Sequence, residues 1–114
     1  MDIAIIKKTL SQFGLNDDCC SLEYEIKNIN LSYDDFSDVL WILGDVIDKN
    51  EQEDVFFVRV TPKIMGIFGG FAVIKMTNNS IIVNALANGI MRDASCKQII
   101  NKVKKLVNQR NKGL

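Results

Sequence analysis

The chain has 114 residues, 47% of them hydrophobic and 25% charged, which suits one domain (1–114) with a core of its own and excludes a disordered segment. No apolar run approaches the roughly twenty residues of a membrane-spanning helix. The zero net charge hides a sorted distribution: residues 1–54 hold thirteen acids and four bases, a charge of −9, and residues 55–114 hold ten bases and one acid, a charge of +9. Such a division calls for a charged partner, or for two halves that neutralise one another.

Asp2 is placed to cap a first helix running to about Phe13, where Ile3, Ile6, Leu10 and Phe13 recur at helical spacing. Gly14 stands where a left-handed residue ends such a helix. Leu22, Tyr24 and Ile26 then alternate with Glu23, Glu25 and Lys27, the period of a strand with one face in the core. Ser32, with Asp35 three residues on, predicts the start of a second helix reaching about Lys49. Its core stripe would be Phe36, Val39, Leu40, Leu43, Val46 and Ile47. An acidic link, Asn50 to Asp54, leads to a strand over Val55 to Val60.

Thr61–Pro62 stops that strand. Phe71 to Met76 and Ile81 to Leu86 predict a hairpin around Asn78–Asn79, because asparagine tolerates the positive φ of tight turns. Asn88–Gly89 makes a further turn. Asp93 is the expected cap of a last helix, about Ala94 to Arg110, with Cys96, Ile99, Ile100, Val103, Leu106 and Val107 as its apolar stripe. The order α-β-α-β-β-β-α, with short turns between strands, predicts an α+β fold. Its form would be a single two-layer domain, an antiparallel sheet of about four strands packed by amphipathic helices.

On a helical wheel Trp41 falls opposite the stripe of the second helix, among Asp34, Asp38, Asp45 and Asp48. Stacked carboxylates destabilise a helix by a few tenths of a kcal/mol per pair, and an outward indole gains a monomer nothing. Tryptophan anchors interfaces and a carboxylate ring selects a basic partner. The expected role is therefore protein binding without catalysis. An inhibitor or immunity-type protein (an antitoxin) would occlude a basic partner such as a toxin nuclease with Trp41 and these aspartates, widened by Glu51, Glu53 and Asp54. The bland alternative covers Trp41 with another part of the chain and pairs the aspartates with C-terminal lysines. The rival function is nucleic-acid binding through Arg59, Lys75, Arg92, Lys97, Lys104 and Lys105.

The segment Lys63 to Phe71 is apolar and contains three glycines. Its glycines lack the order and the following lysine of a phosphate loop. Ile64, Met65, Ile67 and Phe68 would form a flap, or fold back on the core. The chain has no histidine, so the commonest general base and metal ligand is missing, and no cysteine or carboxylate spacing fits zinc or calcium. Glu23 and Glu25 share one strand face, as a carboxylate pair or as an ordinary solvated surface. No enzyme, cofactor or metal is expected. Cys19, Cys20 and Cys96 make a poor disulfide framework, and nothing near Asp2 resembles an export signal. Reduced thiols and a cytoplasmic location follow as expectations.

Overall fold

The computed structural model describes residues 2–60 and 69–112, with side chains to 110. In chain order it holds α1 (Ile3–Ser11), β1 (Cys20–Lys27), α2 (Tyr33–Ser37), a 3-10 turn (Leu40–Ile42), β2 (Gly44–Asn50), β3 (Val55–Val60), β4 (Gly70–Met76), β5 (Ser80–Ala87) and α3 (Arg92–Lys112). The strands form one antiparallel sheet in the order β1-β5-β4-β3-β2. The α+β fold class is as the sequence predicts, with five strands rather than about four.

Alternation divides the sheet into two buried faces. Phe56, Val58, Val60, Ala72, Ile74, Ile81, Val83 and Ala85 meet the α3 stripe (Cys96, Ile99, Ile100, Val103, Leu106, Val107) together with Phe36 and Leu40. On the other face Val55, Phe57, Phe71, Val73 and Leu86 pack with Ile6, Leu10 and Leu15. The sheet and the layer made by α2 and α3 are the two expected layers. α1 lies apart from them, over the second face.

Local signals explain the ends of these elements. Asp2 Oδ1 accepts from the Ala4 N–H at 3.0 Å, and Gly14 adopts φ +103° just beyond α1. Asn88 ties this corner down: its Oδ1 accepts from Asn16 N–H and its Nδ2 donates to the Gly14 carbonyl, both at 2.8 Å. Ser32 Oγ accepts from the Asp35 N–H at 3.1 Å, as its spacing predicts. Asp93 is not the cap of the last helix, because α3 begins at Arg92. It lies in the first turn, where its charge suits the helix dipole. In the β4–β5 hairpin the non-glycine positive φ is not at Asn78 or Asn79; among the described residues it occurs at Asn28 (62°) and Asp54 (56°). That turn is closed instead by Thr77, whose N–H donates to the Ser80 carbonyl at 2.9 Å and whose hydroxyl lies 2.6 Å from that of Ser80.

The main correction concerns the segment after Ser32. The predicted helix to Lys49 stops after α2, and Gly44–Asn50 is the edge strand β2, paired with β3. A helix would hold Gly44 in its interior at about 1 kcal/mol, and the adjacent branched pair Val46–Ile47 favours a strand. Gly44 also sits so close to β3 that a Cβ there would overlap the Arg59 carbonyl oxygen. Phe36, Leu40 and Leu43 keep their core places, but Val46 is 43% exposed, and Ile47 turns to the second face at a register shift between Val46 and Asp48.

Two substitutions test this arrangement. Phe36 is fully buried, edge-on to Phe56 at 5.9 Å between ring centroids. Phe36→Ala is expected to cost about 3–5 kcal/mol in urea unfolding. Gly44→Ala is expected to cost about 1–3 kcal/mol, because the methyl meets backbone that cannot swing away. In a continuous helix through residue 44 the same change would instead stabilise.

Candidate acidic docking edge

The segment between α2 and β2 is short and strongly amphipathic. Leu40 and Leu43 point into the core, while Trp41 is 74% and Ile42 58% exposed. The turn Leu40–Ile42 is held by backbone bonds from Ile42 N–H to the Val39 carbonyl and from Leu43 N–H to that of Leu40. Buried leucines on either side of the pair fix its backbone, so the indole is presented outward from an anchored loop. The outward Trp41 expected from a helical wheel is thus found, on a different element.

The carboxylates of the same chain segment come from three pieces, and those of the β2–β3 turn lie at the other end of β2 from Trp41. Asp34 and Asp38 lie in and just after α2, Asp45 and Asp48 on β2, and Glu51, Glu53 and Asp54 in the β2–β3 turn. Residues 33–54 contain eight acids and one base, Lys49, a charge of −7. Lys49 Nζ reaches Glu51 Oε1 at 3.6 Å with both side chains exposed. None of Asp34, Asp38, Asp45 or Asp48 joins a salt bridge among the described residues. Asn50 organises the turn, its Oδ1 accepting from the N–H groups of Gln52 (3.1 Å) and Glu53 (3.2 Å).

Tyr33 shows how the acidic groups converge. Its ring stacks on Phe56 at 4.4 Å, and its hydroxyl is buried with no hydrogen-bond partner among the described residues. Burial raises the phenol pKa first, and the charges of Glu51, Asp54 and Asp34 raise it further. Asp34 of α2 thus shares one neighbourhood with the β2–β3 turn. Asp45 stands opposite Arg59 in the β2–β3 register.

Arg59, Lys75, Arg92, Lys97, Lys104 and Lys105 are not gathered on one surface. Arg59 and Lys75 follow Phe57 and Val73 on the α1 face of the sheet, Arg59 lying 5.8 Å from the Phe13 ring centre. Lys97, Lys104 and Lys105 belong to α3 on the opposite face, and Lys104 Nζ sits 4.4 Å over the Tyr24 ring of β1. Arg92 is at the start of that helix. Glu23 and Glu25 do share a face, the one away from α3, in register with Asn84 and Ile82. The expected flap residues Ile64, Met65, Ile67 and Phe68 lie outside the described residues. A shallow depression is lined by Phe13, Arg59, Gly69, Gly70, Phe71 and Asn88, among others. Among the described residues no histidine, cysteine or carboxylate group is arranged to hold a metal ion, and no helix is long and apolar enough to cross a membrane.

The wheel missed that Ile42, beside Trp41 in sequence, and Val46 on β2 are also exposed. Reading Gly44–Asn50 as a strand exposes the signal: Val46 then lies opposite Val58, at the open edge of the sheet. No family model matches the chain, and no curated protein and no solved structure matches it.

The lone buried hydroxyl gives a test. Tyr33→Phe is expected to raise stability by about 1–2 kcal/mol, since an unsatisfied buried polar group costs that order. A raised phenol pKa means that the unfolded state ionises first. With respect to this group, stability is unaffected below about pH 10 and is lost as pH rises from there through the folded value. Unfolding curves between pH 9 and 11.5 should therefore decline less steeply for Tyr33→Phe than for the wild type.

Proposed function

We propose that this is a non-catalytic protein-binding module of the inhibitor or immunity type, which occludes a basic protein such as a toxin nuclease. The observation that carries the reading is Trp41, 74% exposed beside the exposed Ile42, within a segment (residues 33–54) whose formal charge is −7. In the complex the indole fills an apolar pocket of the partner. Asp34, Asp38, Asp45 and Asp48 meet the lysines or arginines that would otherwise hold phosphates. Glu51, Glu53 and Asp54 extend the contact beyond the β2–β3 turn. Aromatic anchors of this kind dominate binding energy, and the charge ring sets partner choice and the rate of encounter.

The rival reading, nucleic-acid binding by the basic residues, draws support from the lysines on the outer side of α3. It loses Arg59 and Lys75, which lie across the sheet.

Capture from lysate of the native cell, with tagged wild type and Trp41→Ala side by side, tests the proposal. Wild type should retain a basic protein that Trp41→Ala loses, a weakening of about 2 kcal/mol or more. The stability of the free variant should stay within about 0.5 kcal/mol of wild type, as for other exposed positions. Raising salt from 50 to 500 mM should slow association. Equal retention by Trp41→Ala would remove this edge from consideration. Tight, salt-sensitive binding of random oligonucleotides by both proteins would transfer the function to α3.

A further inference from the structure

Two of the three cysteines meet across the interface of α3 with the sheet. Cys96, near the start of α3, is fully buried, its Sγ 3.3 Å from the Ala85 carbonyl oxygen and 3.4 Å from that of Cys20. Cys20 opens β1 opposite Ala87, and Ala87 belongs to the core under α3, so the Cys20 side chain lies on that same face. It packs against this core while remaining partly exposed. The Cys96 thiol donates to the Cys20 carbonyl, so the two residues are direct neighbours, and Asp93 lies three residues before Cys96 on α3. Cys19 faces the other way, against the cluster that holds Ile6 and Leu10. The sheet therefore separates Cys19 from Cys96 and leaves one pair.

We propose that Cys20 and Cys96 are a site of oxidative modification, which closes a disulfide between the start of β1 and the first turns of α3 when the protein meets a low-molecular-weight disulfide such as oxidised glutathione. The partly exposed Cys20 is the entry point. Its thiolate attacks one sulfur of the glutathione disulfide, forming a mixed disulfide and expelling one glutathione thiolate. The Cys96 thiolate then attacks the Cys20 sulfur, forming the Cys20–Cys96 bond and expelling the second glutathione. Two electrons pass from the protein to the oxidant, and the two thiol protons end on the two glutathiones.

The resting state of the pair fits this order of events. Cys20 is held protonated first by its hydrogen bond to Asp93 and then by burial, and burial pushes the Cys96 thiol to about 12. Neither is a reactive surface thiol at neutral pH, and Cys96 is reached only through Cys20. Oxidation is therefore slow and confined to conditions of excess oxidant. The bond ties together residues 76 positions apart, so it restricts the unfolded chain strongly.

The experiment uses the full chain in excess oxidised glutathione at pH 8.5, followed by alkylation, proteolysis and mass mapping. Free thiols should fall from three to one, with the Cys20 and Cys96 peptides linked and lighter by two hydrogens. The apparent melting temperature should rise by about 10 °C or more, and reductant should reverse the rise. Cys19→Ser should behave as wild type, and Cys20→Ser should neither link nor gain stability. A lasting glutathione adduct on Cys20 with Cys96 still free would overturn the proposal. So would a Cys19–Cys20 bond, or no reaction at all. Mapping on the wild type decides the question even if a variant fails to fold.

Discussion

Burial of the central strands on both faces is the constraint from which the rest follows. β3 sends Phe56, Val58 and Val60 to one side and Val55 and Phe57 to the other, while β4 sends Ala72 and Ile74 against Phe71 and Val73. A sheet apolar on both sides needs helical cover on both sides. α3 supplies most of one, α2 completes it, and α1 closes part of the other. Charged side chains are then confined to the two edge strands, the turns and the outer sides of the helices. Because both edge strands, β1 and β2, come from the acidic half of the chain, the acids line the rims and the bases of α3 ride outside the core.

This geometry also separates what the acidic rim does for the monomer from what needs a partner. β2 is an open edge, with unpaired backbone groups that invite pairing with another strand. Its register shift at Val46/Asp48 and its charged Asp45, Asp48 and Lys49 blunt that hazard. Those carboxylates thus have a use in the isolated protein. Trp41 and Ile42 have little, since both are mostly exposed, and fully covering a large apolar side chain is worth about 1.5–3 kcal/mol. The docking proposal accordingly rests on the indole and its neighbour. The carboxylates define which partners can approach.

Much of this was legible before any coordinates. The caps at Asp2 and Ser32 and the stripe of the last helix appear where local chemistry places them. β1 is a strand as its alternation predicts, but Leu22 and Tyr24 are 39% and 41% exposed and of the three only Ile26 packs against the core, because an edge strand is covered less completely than the strands inside the sheet. The second helix failed because Phe36, Leu40 and Leu43 satisfy a helical period while serving a short helix and a 3-10 turn. The contradictory local evidence, a glycine followed by Val46–Ile47 before a polar turn, was outweighed by that period. Trp41 is outward in either conformation because it lies between the buried Leu40 and Leu43. The Cys20–Cys96 meeting was hidden for a different reason. Strand register decides which of two adjacent cysteines faces α3, and register is a property of pairing that no single segment contains.

The docking edge and the cysteine pair occupy opposite ends of the sheet. Four strand spacings of about 4.8 Å separate β1 from β2, roughly 19 Å, with β5, β4 and β3 between them. Those three strands are the most densely buried part of the molecule and resist small displacements. A bond that pins α3 to β1 therefore stabilises the unbound protein without reshaping the turn that carries Trp41. Oxidation would act on how long the protein survives, and the acidic edge on what it holds, so a change in one need not report on the other.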